Sequence, residues 1–193
     1  MAHARIRRTF KRLIYVDDAT EEVGLLIRLR MPWLIVGLVV GTVITFVVSR
    51  FERVLSQQVS LAFFIPVIIY MSDAVGTQTE TIYVRNLSLK QAKFSVYLIK
   101  ELLLGLVVGA VSGSLIGSFA WLWLKAGKVA LTVGLATFAS ITSAAVIALI
   151  IPTLLHKFRN TDPAVGAGPF TTVLQDLVSL LIYFLIASAV ILH

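Results

Sequence analysis

A chain of 193 residues that is 58% hydrophobic and only 14% charged has too little polar material for a soluble domain, so it is an integral membrane protein. It has no cysteine and only three histidines, His3, His156 and His193, which excludes a disulfide framework and any thiolate or soft-metal cluster within the membrane. The formal net charge of +7 follows from membrane topology and calls for no nucleic-acid partner.

Residues 1–30 are rich in Arg and Lys but lack the short apolar run and small-residue cleavage site of a signal peptide. Leu25, Leu26 and Leu29 form one apolar edge beside Arg28 and Arg30. The segment is expected to be a cytosolic basic amphipathic stretch lying on the inner leaflet. Residues 31–193 are expected to form one transmembrane domain of five helices, an all-α membrane fold.

The first span is expected over Met31–Val48, where Gly37 and Gly41 form a small notch. The second is expected over Gln57–Val84, with an interruption near Ser72–Gly76: Pro66 removes a backbone bond and Gly76 loosens the helix. Ser72, Asp73, Thr77, Gln78, Thr79, Glu80 and Thr81 make a dense polar cluster there, and broken helices at membrane depth line cavities and mark ion sites. The third span, Lys100–Leu124, carries Gly105, Gly109, Gly113 and Gly117, a smooth ridge for close helix approach whose expected partner is Gly37 and Gly41. The fourth span covers Val129–Leu155.

The fifth span runs from Pro163 to Leu192, with Asp162 as N-cap and Pro163 at the first helical position. Gly166, Gly168 and Pro169 are expected to make its first turns irregular. Its single charge within the apolar run is Asp176, about 14 residues or roughly 21 Å beyond Asp162. A carboxylate at that depth costs at least about 2.5–3.5 kcal/mol, so it faces water or a cation. Thr172, Ser179 and Tyr183 share its helix face, as along a water-lined passage.

Thirteen of the 17 Lys and Arg residues fall on the side of the N-terminus. The N-terminus is therefore expected in the cytosol and the C-terminus outside, in the cell (plasma or inner) membrane. Trp33 falls at the inner interface, Trp121 and Trp123 at the outer one. The candidate ligands supply only oxygen, which suits hard cations. One carboxylate per chain is few for Ca²⁺ but fits hydrated Mg²⁺, with Mn²⁺ not separated from it; a two-fold homodimer supplies a second carboxylate. No GxxxxGK[ST] phosphate loop occurs.

Three stretches, RMPWLIVGL, IPVIIYMSDAVGTQTETIYVRNL and DPAVGAGPFTTVLQDLVSLLIYFLIA, are similar to the membrane domain of the MgtE family of Mg²⁺ channels and transporters. The resemblance covers about residues 25–192. It implies a homodimer with the ion path on the two-fold axis, lined by spans two and five. It implies Asp176 at a central Mg²⁺ site, Asp162 at the cytosolic mouth, and Thr172 and Gly76 on the pore wall, where Thr77, Ala74 and Pro169 are placed with them.

Where the family reads GGN, this chain has Ser72, Asp73 and Ala74, and Glu80 stands where a small or apolar residue is usual. Asp73 and Glu80 thus join Asp176 and Asp162 as candidate metal ligands. The long cytosolic region with a paired CBS domain, typical of the family, has no counterpart in the 30 residues before span one. The expected function is passive entry of hydrated Mg²⁺ into the cytosol, with no enzymatic activity. Three alternatives stand beside it. One is a divalent-cation exchanger coupled to H⁺ or Na⁺ through Asp73 and Glu80. The others are an intramembrane aspartyl protease using Asp73 and Asp176, whose GxGD signature is missing, and a purely structural subunit.

Overall fold

A computed structural model describes residues 22–89, 93–159 and 163–193. The chain is helical: α1 (Val23–Ser49), α2 (Glu52–Gln57), a 3-10 turn (Val59–Phe64), α3 (Ile65–Ser88), α4 (Phe94–Leu124), α5 (Gly127–Arg159) and α6 (Pro163–Ile191). Among the described residues five segments are long and apolar enough to cross a membrane: Val23–Ser49, Val59–Leu87, Phe94–Leu124, Gly127–Leu155 and Phe170–Ile191. α5 is the hub, packed along α4, α6 and α3, while α1 is held by α6. Leu38, Phe46, Val107, Leu115 and Leu185 are all at least 60% exposed, the outward apolar surface that lipid tails cover.

The first span continues N-terminally past Met31, because Val23–Arg30 belongs to the same unbroken helix. Residues 1–21, most of the expected basic segment, lie outside the described residues. The expected interruption at Ser72–Gly76 is absent: α3 is a continuous α-helix through it. The irregularity sits earlier, in the 3-10 turn. Pro66 falls at the start of α3, where the missing N–H is one that no helix bonds, so it opens the helix instead of breaking it. The first turns of α6 are likewise helical from Pro163 onward.

One end of the bundle is closed by the α2 and 3-10 segment. Phe51 stacks on Phe184 with ring centroids 4.9 Å apart, and Val54, Leu61 and Phe64 are buried. Tyr183 Oη donates to the Leu61 carbonyl at 2.6 Å. Trp123 gathers Phe63, Phe64 and Phe119 around it at the same end.

The glycine ridge of α4 faces α5, not Gly37 and Gly41. A side-chain carbon at Gly109 would sit 2.8 Å from the Phe138 carbonyl oxygen, and one at Gly113 would sit 2.5 Å from that of Gly134. Thr142 Oγ1 reaches across to the Gly105 carbonyl at 3.2 Å. Gly37 instead meets Val173 of α6, and Gly41 faces open space. Small residues replace side-chain volume with backbone contact where no hydrophobic force drives helices together. Gly113→Val is therefore expected to cost about 1–3 kcal/mol by overpacking, a fall of about 2–12 °C in Tm. Leu103→Val on the exposed side of the same helix should change little. A Gly113→Val protein that melts with the wild type would show that this seam is not closely packed.

Candidate ion-binding site

α3 and α6 lie antiparallel. Gly76 of α3 meets Gln175 of α6, and four residues further along α3 Glu80 meets Thr171, four residues earlier on α6. Four-residue spacing keeps such positions on one helix face. The buried faces are polar on both sides: Ser72 and Thr79 on α3, Thr171, Gln175 and Ser179 on α6. A side-chain carbon at Gly76 would overlap the Gln175 amide, so even a methyl group there requires Gln175 to shift. Gln175 is 1% exposed and its Nε2 donates to the Ala144 carbonyl of α5 at 3.3 Å. Gly76 thus makes room for Gln175 and does not loosen α3.

The acids lie beside this seam. Asp176 is next to Gln175, halfway along α6, and half-buried. Asp73 is half-buried on α3, close enough to both Asp176 and Glu80 for their charges to interact. Its Oδ1 is shielded from solvent and has no hydrogen-bond partner. Glu80 is 9% exposed and sits beside Thr171, whose own hydroxyl oxygen is buried without a hydrogen-bond partner of good geometry. Asp73, Thr77 and Glu80, at i, i+4 and i+7, share one side of α3. Thr77 is exposed there, Ala74 is half-buried beside it, and Thr172 is half-buried one turn before Asp176. Pro169 lies in the helical early turns of α6, and Asp162 lies outside the described residues.

The polar stripe expected beyond Asp176 is taken up by packing. Tyr183 is fully buried and bonded to Leu61. Ser179 is 1% exposed; its backbone carbonyl accepts from Ser140 Oγ at 3.4 Å, and its own hydroxyl is buried without a hydrogen-bond partner. Two residues that the sequence reading passed over join the seam, Gln175 and Glu101. Thr79 Oγ1 donates to Glu101 Oε2 of α4 at 2.7 Å, tying α3 to α4 just behind Glu80. The stripe Thr171, Gln175, Ser179 was visible as an i, i+4, i+8 pattern adjoining Asp176; Glu101 carried no such mark.

Carboxylates that feel one another's charge at membrane depth, as Asp73 does with Asp176 and with Glu80, are costly unless a cation or water meets them. Among the described residues no three His, Cys, Asp or Glu side chains come close enough together to hold a metal ion. The described residues of one chain therefore offer scattered oxygen ligands, hydroxyls and carboxylates on two helices. These suit a hard cation that keeps its own water.

A family profile described as a divalent cation transporter, MgtE, matches residues 65–186. The chain is similar to the magnesium transporter MgtE of Enterococcus faecalis, 39% identical over 162 residues, which is 82% of this chain and 36% of that protein. It is also similar to the protein of that name from Bacillus subtilis, 38% identical over 163 residues, covering 83% and 36% of the two chains. Another of that name, from Thermus thermophilus, is 30% identical over 166 residues, covering 82% and 35%. The chain thus spans about a third of the length of these curated relatives. Matched over both α3 and α6, which carry the acids described above, the chain belongs to the MgtE family of divalent cation transporters.

Proposed function

We propose that two copies of this chain assemble about a two-fold axis and pass hydrated Mg²⁺ between them into the cytosol. The observation that carries this reading is the half-buried pair Asp176 and Asp73, set midway along two spanning helices, where the described residues of one chain bring no three carboxylate or imidazole groups close enough together to hold a metal ion. A symmetry mate doubles the carboxylates without adding any new residue. Mg²⁺ dehydrates reluctantly and is held through one or two carboxylates and its own waters, which matches a wide site with sparse ligands. Thr172 and Thr77 then offer hydroxyls to those waters, and Glu80 stands at the end of α3 that carries Arg85.

The driving force needs no second substrate. A divalent ion gains about 4.6 kcal/mol per 100 mV of inside-negative potential, twice the single-charge value. Liposomes holding the purified chain should take up Mg²⁺ when a K⁺ diffusion potential is imposed, with no gradient of H⁺ or Na⁺. Uptake that appears only with such a gradient would replace the passive pathway with an exchanger, and no uptake under any condition would end the reading.

A further inference from the structure

Near the turn joining α4 to α5, the two helices leave an open groove of about 540 Å³. Gly113, Gly117 and Gly134 form its floor, Leu131 and Leu135 one wall, and Trp121 its mouth. On a 3.6-residue wheel Leu131 and Leu135 lie opposite Ser140 and Ala144, the α5 residues whose hydrogen bonds face α6. The groove therefore opens away from α6, and the acid-bearing face of that helix is not part of it.

The mouth is cationic. Lys125 Nζ lies 5.3 Å from the centre of the Trp121 ring. Lys128 stands at i−3 and i−7 from Leu131 and Leu135, so it rises over the same wall. Lys125 has φ 53°, the only left-handed non-glycine residue among those described. Glycine is the usual residue at such a helix end, and a side chain there is strained. That strain, together with the position of the ammonium over a groove-lining ring, points to a use for the charge.

We infer that this groove binds an anionic phospholipid of the bilayer, with one acyl chain along the glycine floor and the phosphate between Lys125 and Lys128. The chemistry is complementary at both ends: an apolar slot for a hydrocarbon chain, and two cations with a Trp at headgroup level. A second copy of this chain seated face to face in the same slot would bring identical lysines together, which disfavours it as the occupant.

The test uses the whole purified chain in a nonionic detergent, with lipids added singly. Phosphatidylglycerol at ten times its Kd should raise Tm by about 3–6 °C, and phosphatidylcholine should leave it within about a degree. Glycerol phosphate alone, lacking the chain, should do nothing. Lys125→Gly combined with Lys128→Gln should abolish the phosphatidylglycerol shift while lipid-free Tm holds or rises, because glycine relieves the turn. Ser118→Leu, which fills the groove without touching a charge, should also abolish it. Asp176→Asn should keep the shift, which separates this site from the ion path. Equal shifts from the two lipids, or an undiminished phosphatidylglycerol shift in the double variant, would overturn the assignment. So would Ser118→Leu dispersing a dimer while leaving the lipid shift intact.

Discussion

Asp176→Asn should abolish Mg²⁺ uptake into liposomes and leave the fold intact. The substitution keeps the size of the side chain and one oxygen ligand, and removes the charge. In a two-fold assembly it removes two charges from one site. Charge-assisted contacts are worth about 1.5–3 kcal/mol each, so losing two predicts a fall of about 100-fold or more in transport. Stability should move the other way. An uncompensated carboxylate at membrane depth is a cost that the neutral amide does not carry, so Tm should hold or rise by a few degrees. This opposition of signs identifies a residue kept for function against the interest of the fold. Asp73→Asn is the milder companion. It removes a charge that interacts with both Asp176 and Glu80, and should alter ion preference before it alters throughput. Uptake by Asp176→Asn at the wild-type rate would remove the central site from the proposal altogether.

The spans and Asp176, the one charge within the apolar run of the fifth, were legible because lipid imposes a uniform demand on sequence. Any residue facing lipid must be apolar, whatever its neighbours. Partners between helices leave a weaker trace. The ridge of four glycines announced a close contact, but nothing in the spacing said that Gly134 rather than Gly41 would meet it. Pro66 and Gly76 look the same in sequence whether they break a helix or serve it. One opens α3 and the other accommodates Gln175, and only the position of the helix start and of α6 decides between these roles. Glu101 was unreadable for a further reason. It lies close to the start of α4, beside Lys100, where an acid is ordinarily solvated. Its hydrogen bond to Thr79 depends on how α4 lies against α3.

Gly76→Ala supplies the sharper test of how the seam sets the acids. Within a helix, alanine replacing glycine gains about 1 kcal/mol from propensity alone. At Gly41, where open space surrounds the missing side chain, Gly41→Ala should show that gain as a small rise in Tm. At Gly76 the same methyl group overlaps the Gln175 amide, so Gln175 must move off the Ala144 carbonyl or α3 must move off α6. A buried amide left without partners costs about 1–3 kcal/mol, and overpacking costs about 1–3 kcal/mol besides, so the loss outweighs the propensity gain. The sign should therefore reverse between two chemically identical substitutions. Transport should fall as well, because the shift separates Asp73 on α3 from Asp176 on α6. Gln175→Ala empties the space that the new methyl group needs. The double variant Gly76→Ala, Gln175→Ala should thus be more stable and more active than the two single effects added together, with a coupling of about 0.5–3 kcal/mol. Strict additivity, in Tm and in Mg²⁺ uptake alike, would mean that the two residues do not touch and that the spacing of the acids is set elsewhere.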